Sequence, residues 1–186
     1  FIQKGNKDSA NSLLLKIIKE HKQIAKDSVS NQKIRKRLFE KLDSNISELE
    51  GLLHGMILLG EITPRSLDYL ISFGERLSIE IVSHALSDLK EKSVTLTGKD
   101  VGIVTDSNFG SSKPLMDTTR LRVSKTLEPL LEKKIVPVIG GFAGADQHGH
   151  ITTFGRGGSD YTATIIASCI KADEVWLISD VDGLTS

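Results

Sequence analysis

The residues best suited to binding chemistry form a glycine-rich run, residues 154–160, in which Arg156 stands between glycines. Glycines let backbone N–H groups crowd around an anion, and a helix predicted from Ser159 adds a partial positive charge at its first turn. Arg156 offers a two-pronged donor that matches a carboxylate or a phosphate. The alternative is that Ser159 or Asp160 only caps the helix, which does not explain the arginine. The pattern favours an anion site, and the lack of a following Gly-Lys-Ser/Thr argues against a P-loop.

Two more runs follow apolar segments that are predicted to be strands. Residues 140–144 are rich in glycine and come after the strand predicted at residues 135–139. Residues 179–183, which include Ser179 and Asp180, come after the strand predicted at residues 175–178. Open α/β sheets bind ligands outside the carboxyl ends of their strands, so both runs are candidate binding loops. The alternative for residues 140–144 is a plain glycine turn, and that for residues 179–183 is a β-turn. The Asp-x-Asp-Gly pattern at residues 180–183 lacks the remaining ligand spacing of an EF-hand calcium loop.

A fourth candidate is Glu75, which lies beside Gly74 near a predicted helix start. Its carboxylate is suited to an ammonium group, and the alternatives are an ion pair with Arg76 or a helix cap. His148 and His150 flank Gly149 in a predicted hairpin, where turn residues are expected rather than metal ligands.

The elements that must position these residues change character along the chain. Residues 9–60 carry apolar positions at helical spacing with a break at residues 27–31, which predicts two amphipathic helices in a hairpin. Thr63 and Pro64 predict the start of a helix that runs through Leu70 to a kink or loop near Gly74. The elements predicted beyond this point are a helix at 78–89, strands at 94–97, 101–105, 135–139, 151–154 and 175–178, and helices at 121–133 and 159–171.

Alternation of strand and helix predicts an α/β fold with a mostly parallel sheet flanked by helices. Residues 1–60 form the helical region and residues 61–186 the α/β part that carries the candidate site. The runs at residues 135–139 and 175–178 are continuously apolar, which is typical of strands buried on both faces. Trp176 and Cys169 are expected in the core.

Composition narrows the function classes further. The 186 residues contain 24 basic and 24 acidic side chains, so the formal net charge is zero. This balance argues against a protein built mainly to bind nucleic acid or an anionic membrane. The single cysteine, Cys169, rules out an internal disulfide framework and indicates a reducing, cytoplasmic compartment. No apolar run approaches the roughly 20 residues that cross a bilayer.

Taken together and in this order, the four runs resemble those of aspartate kinases in the amino acid kinase family. The likeness spans about residues 59–184, and the glycine run is its most specific part. It rests on these segments: Ser72-Phe73-Gly74-Glu75-Arg76-Leu77-Ser78, Gly140-Gly141-Phe142-Ala143-Gly144, Thr152-Thr153-Phe154-Gly155-Arg156-Gly157-Gly158-Ser159-Asp160-Tyr161-Thr162-Ala163 and Ser179-Asp180-Val181-Asp182-Gly183.

The resemblance implies that the side-chain carboxylate of L-aspartate is phosphorylated by Mg-ATP, giving 4-phospho-L-aspartate on the way to lysine, methionine and threonine. It implies that Glu75 binds the substrate ammonium group and Arg156 a substrate carboxylate, with Phe142 and Ser159 lining the pocket. Asp160 would organise the reacting centre. The residues implied to bind the nucleotide are Gly140, Gly141, Gly157, Gly158, Ser179 and Asp180.

The sequence departs from the aspartate kinase pattern at both ends. The family's Lys-Phe-Gly-Gly-Thr-Ser run, whose lysine stabilises the transferred phosphoryl group, does not occur, and Lys4-Gly5 is not a match. The first strands and the downstream nucleotide segment are also expected to be missing. We therefore expect part of a catalytic domain that is inactive alone, from a parent that forms a homo-oligomer. The alternatives are another amino acid kinase, or a non-catalytic module with the same fold.

Overall fold

The computed structural model describes residues 7–178 as seven helices and five strands. The helices are α1 Lys7–Ser28, α2 Gln32–Leu59, α3 Pro64–Ile71, α4 Phe73–Asp88, α5 Gly98–Val101, α6 Met116–Glu132 and α7 Gly158–Ile170. The strands are β1 Ser93–Leu96, β2 Val104–Thr105, β3 Val136–Ile139, β4 Ala143–Asp146 and β5 Ile151–Thr153.

The predicted helical hairpin is confirmed by α1 and α2. Asn31 caps α2 by accepting hydrogen bonds from the backbone N–H groups of Lys33 and Ile34, at 3.0 and 3.2 Å. Gly60 ends the helix in the left-handed conformation at φ 67°, which glycine adopts at little cost. The apolar faces of α1, α2 and α4 share one buried cluster, formed by Ala25, Val29, Leu38, Leu42, Ile46, Leu77 and Ile81.

Helix α3 begins as predicted, but α4 begins five residues earlier than expected. Thr63 and Ser66 form a reciprocal capping box with Pro64 at the first position of α3. The kink expected near Gly74 lies two residues earlier, at Ser72, which separates α3 from α4 as a single residue with φ −65° and ψ −17°. Glu75 therefore lies in the first turn of α4.

The strands form two small sheets that are mostly parallel, as predicted. β1 pairs in parallel with β3, β2 pairs in parallel with β4, and β4 pairs antiparallel with β5. The expected hairpin return at residues 151–154 is thereby confirmed, and part of the run at residues 140–144 proves to be β4. Helices α6 and α7 cover the sheets with a second buried cluster that includes Val123, Leu127 and Cys169.

Three predictions about strands are wrong. The segment predicted as a strand over residues 101–105 is split, because a Thr97–Asp100 capping box starts α5 and Gly102, at φ 99°, ends it. β3 is not buried on both faces, and Val136 is 41% exposed. Residues 175–178 form no strand, and Trp176 is 77% exposed, because no strand among residues 7–178 pairs with them.

Helix α6 begins five residues before the predicted start at residue 121, while α7 agrees with its prediction within one residue. None of the helices in residues 7–178 is both long enough and apolar enough to cross a lipid bilayer.

Candidate active site

Three segments far apart in sequence meet at the candidate site: the first turn of α4, the β3–β4 loop and the start of α7. A Cβ built on Gly140 would lie 3.4 Å from the Cβ of Glu75. A Cβ built on Gly141 would lie 3.1 Å from the Cα of Ser159. Gly140 therefore packs against Glu75, and Gly141 packs against Ser159 of the glycine-rich run. The two glycines bring these parts of the predicted site together.

A narrow cavity opens where Glu75 meets Gly140 and Gly141, and Thr97 and Lys99 also line it. Its volume of about 20 Å³ is room for roughly one water molecule. A ligand of amino acid size would therefore have to displace the surrounding loops or occupy the open side of the cavity.

The Glu75 carboxylate is half-buried and forms no ion pair with any cation in the described part of the chain. Burial raises its pKa above the ordinary 4.5. The suggested pair with Arg76 is wrong, because the Arg76 guanidinium binds Glu48 of α2 and lies 4.2 Å from the ring centroid of Phe73. Glu75 is thus left to meet a cation that comes from outside the described structure.

Phe142 is fixed in a conformation that few non-glycine residues adopt, with φ 68°. Its N–H donates to Thr162 Oγ1 at 3.0 Å, and its carbonyl accepts from the N–H of Phe154 at 3.0 Å. The Thr162 hydroxyl in turn donates to the Gly158 carbonyl at 2.7 Å. The sequence analysis did not single out Thr162, which ties the β3–β4 loop to α7.

Arg156, Ser159 and Asp160 are exposed at the junction between the glycine run and α7. The N-cap of α7 is Gly157, in the left-handed conformation at φ 76°, and no side chain caps the helix. The alternative that Ser159 or Asp160 serves as the cap is therefore excluded. Arg156 has no ion-pair partner among residues 9–178, so its guanidinium is available to an anion.

The glycines of this region differ in what surrounds them. A Cβ on Gly158 would lie 2.9 Å from Cδ2 of Phe142, so this glycine allows α7 to pack against the β3–β4 loop. A Cβ on Gly157 would meet nothing within 4 Å, so space is open at the first turn of α7. Open space at an uncapped helix N-terminus suits a phosphate or carboxylate. Ser179 and Asp180 lie outside the described residues.

Two buried carboxylates near the site were missed by the sequence analysis. Asp68 is 1% exposed and accepts hydrogen bonds from Gly110 and Thr153. Asp146 accepts from Ser107, His148 and His150 at the β4–β5 hairpin. Asp146 stands two positions after the glycine run at residues 140–144, whereas no local feature of the sequence marks Asp68.

The Asp146 carboxylate also accounts for the positions of His148 and His150 in the hairpin. Burial by itself raises the pKa of Asp146, but hydrogen bonds from His150, Ser107 and His148 outweigh it and lower the pKa from 3.8 to about 2. His148 and His150 donate their backbone N–H groups to this carboxylate at 2.9 Å, as residues of a tight turn. Within the described residues no group of three or more metal-binding side chains comes together.

Comparison with known proteins finds a matching family and several similar proteins. The model of the amino acid kinase family matches residues 6–186. An aspartate kinase of Pseudomonas putida is 41% identical over 122 residues, which are 65% of this chain and 28% of that protein. Aspartokinase 1, chloroplastic, of Arabidopsis thaliana is 36% identical over 141 residues, 75% of this chain and 25% of that protein.

Solved structures give the same fold. E. coli aspartokinase III in complex with aspartate and ADP superposes with a TM-score of 0.71 at 24% identity, over 89% of this chain and 34% of that chain. Its complex with lysine and aspartate gives a TM-score of 0.60 at 25% identity, over 84% and 38%. The chain spans between a quarter and a third of the length of the curated relatives it matches. With a family model that matches almost all of its length, the chain belongs to the amino acid kinase family.

Proposed function

We propose that this chain is part of the catalytic domain of an aspartate kinase, which transfers the γ-phosphoryl group of ATP to the side-chain carboxylate of L-aspartate. The observation that carries the proposal is Glu75, a half-buried carboxylate without a described cation partner, set against the loop that also contacts Ser159. The names of the sequence relatives support the reaction, and a 25% identical neighbour was solved with aspartate.

The charges of the site match those of the substrate. Aspartate carries one ammonium group and two carboxylates, and the site offers the half-buried Glu75 carboxylate for the former and the Arg156 guanidinium for the latter. In our proposal Glu75 binds the ammonium group and Arg156 holds a carboxylate by a two-pronged hydrogen bond. Phe142 and Ser159 line the pocket between them. A side-chain carboxylate is ionised at neutral pH and needs no base to become a nucleophile.

The transfer asks mainly for positioning and for neutralisation of charge. A carboxylate oxygen of aspartate forms a bond to the γ-phosphorus, the bond from that phosphorus to the β–γ bridging oxygen breaks, and ADP leaves. We assign Gly140, Gly141, Gly157 and Gly158 to the nucleotide, together with Ser179 and Asp180.

Mg²⁺ would come with the phosphates of ATP and spread their negative charge. Asp160, the exposed carboxylate of the glycine-rich run, fits a hard cation that is bound by oxygen. Asp160 would in this way organise the reacting centre. We also propose that the parent protein is a cytoplasmic homo-oligomer and that residues 1–60 and 61–186 are two regions of one partial domain.

The test is a kinetic comparison in the full-length protein that contains this chain. Aspartyl phosphate is trapped as a hydroxamate, and KM is measured for aspartate and for ATP. We expect Glu75→Gln to raise KM for aspartate at least tenfold and to leave KM for ATP within twofold, because only the ammonium group loses its partner. Glu40→Gln, an exposed position on α2, is the matched control and should change neither value.

Two results would contradict the proposal. One is a wild-type protein that makes no hydroxamate with aspartate but does so with glutamate or acetylglutamate, or that phosphorylates carbamate or UMP. The other is an equal rise in both KM values for Glu75→Gln, which would give Glu75 a general role in folding instead of one in binding aspartate.

A further inference from the structure

Asp68 lies in α3 and has no role in the binding proposed above, yet its carboxylate accepts hydrogen bonds from two other segments of the chain. Oδ2 accepts the backbone N–H of Gly110 and that of Thr153, both at 2.9 Å, and Oδ1 accepts the Thr153 hydroxyl at 2.8 Å. Asp68 and Thr153 are each only 1% exposed. A carboxylate buried to this degree requires such donors, because an unpaired buried charge is costly.

On one side these hydrogen bonds lead to Arg156. Thr153 is the last residue of β5 and stands three residues before Arg156. Gly110 donates its N–H to Asp68, and its carbonyl oxygen would lie 3.0 Å from a Cβ on Gly155, which has φ 77°. The peptide groups around Gly110 are therefore packed between Asp68 and the glycine run. The Asp68 carboxylate thus fixes the position of Thr153, the residue just before the glycine-rich run.

On the other side the same residue leads to Glu75. The backbone carbonyl of Asp68 accepts the N–H of Ser72 at 3.1 Å, and Ser72 accepts the N–H of Arg76 at 3.2 Å at the start of α4. Glu75 lies between these two residues in the first turn of the helix. These two bonds are main-chain bonds of the helical turns and do not involve the carboxylate. The carboxylate of Asp68 instead ties α3, which leads through Ser72 into the helix of Glu75, to Thr153, which precedes the segment of Arg156.

We infer that Asp68 is a positioning residue that holds the ammonium-binding Glu75 and the carboxylate-binding Arg156 at the separation an amino acid substrate needs. This inference rests on the proposed function. It predicts a selective loss of aspartate recognition, since the Asp68 carboxylate ties α3, which precedes the helix of Glu75, to Thr153, which precedes Arg156. A purely structural role would lower stability without favouring one substrate.

The experiment measures KM for aspartate and for ATP in the full-length protein with Asp68→Asn. The amide keeps the shape of the side chain but removes its charge and replaces one of the two accepting oxygens by an NH₂ donor. We expect KM for aspartate to rise at least tenfold, with KM for ATP within twofold of wild type. Asp88→Asn is the control, because Asp88 also accepts backbone N–H groups, from Ser30 at 2.7 Å and from Asn31, far from the site. It should lower Tm and leave both KM values within twofold.

A second pair of variants keeps the test decisive if Asp68→Asn does not fold. Thr153→Val removes one donor and should raise KM for aspartate about threefold to tenfold, while Thr153→Ser restores the hydroxyl and should return it to within twofold of wild type. A folded Asp68→Asn, or a folded Thr153→Val, with unchanged KM for aspartate overturns the inference alone. A wild-type protein that does not phosphorylate aspartate overturns the proposed function first and this inference with it.

Discussion

At the scale of single residues, the binding role proposed for Glu75 comes with a cost in stability. Burial raises its pKa above 4.5, so the folded protein favours the protonated form. The stability that this group contributes is fully present below pH 4.5 and is lost as the pH rises through the raised pKa. At neutral pH the fold therefore holds a charge that burial disfavours, as expected of a group kept for a ligand.

Glu75→Gln should make the protein more stable than wild type at pH 7, because it removes the half-buried charge and keeps the size of the side chain. The difference should disappear below pH 4.5, where wild-type Glu75 is protonated in both the folded and the unfolded state. Urea unfolding at pH 7 and at pH 4 measures both values. A variant that is less stable at pH 7 would show that Glu75 has a stabilising partner.

Arg156 is the second residue whose chemistry can be tested separately from its packing, because its side chain is exposed. Arg156→Lys keeps the charge but not the two-pronged geometry, so we expect it not to restore normal use of aspartate. Arg156→Ala should lower kcat/KM for aspartate. The activation barrier should rise by about 1.5–3 kcal/mol, the range for a charge-assisted hydrogen bond. A change within twofold would refute the anion site, and Arg37→Ala, an exposed position on α2, is the control.

At the scale of elements, the site depends on close contact between backbones. A Cβ on Gly98, the first residue of α5, would overlap the carbonyl oxygen of Ala143 in β4 and lie 2.8 Å from its carbonyl carbon. Backbone atoms cannot move aside as a flexible side chain can, so α5 and β4 approach this closely only with glycine at residue 98. The contact also lies on the cavity that Glu75 lines.

Gly98→Ala should therefore lower the free energy of unfolding by about 1–3 kcal/mol or more, the usual cost of overpacking. Gly55→Ala is the matched control, because Gly55 lies inside α2 and a Cβ there meets nothing within 4 Å. It should raise stability by about 0.5–1 kcal/mol, the difference in helix propensity between alanine and glycine. Equal effects of the two substitutions in chemical denaturation would be inconsistent with the contact.

At the scale of the whole molecule, the 186-residue chain exposes apolar surface that folded proteins normally cover. Trp176 is 77% exposed and Ile178 is 91% exposed. β1 and β3 form a sheet of only two strands in the described part of the chain, so they leave unpaired edges. Such edges and side chains favour association with other chains.

We expect the isolated 186-residue chain to fold at least partly, to self-associate and to show no aspartate kinase activity. The chain lacks the Lys-Phe-Gly-Gly run, and the loss of one such electrostatic donor raises a barrier by about 2.7–4 kcal/mol. Circular dichroism, sedimentation and the hydroxamate assay with ATP, magnesium and aspartate measure the three properties. Turnover near that of the full-length protein would mean that another basic residue, such as Lys4, replaces the missing lysine.

Local features of the sequence were enough for the starts of α2, α3 and α7, whereas α4 and α6 begin five residues before their predicted starts. The caps at Asn31 and Thr63 act within four residues, so α2 and α3 begin where their signals stand. The residue types of the glycine-rich run around Arg156 make it a candidate anion-binding segment from the sequence alone. The helical spacing with its break at residues 27–31 and the alternation of strand and helix were likewise sufficient for the hairpin and the fold class.

Only the tertiary structure decided which residues meet and which strands are buried. Arg76 binds Glu48, 28 positions earlier, and Asp68 binds Thr153, 85 positions later. Neither pair has a local signal, because a hydrogen bond depends on where packing brings two segments. The same reason explains the exposed residues 175–178, since an apolar run becomes a buried strand only where a neighbouring strand is present. Local propensity and capping act over a few residues and can be read in the sequence, whereas the separation of Glu75 from Arg156 depends on contacts that form only when the whole chain is folded.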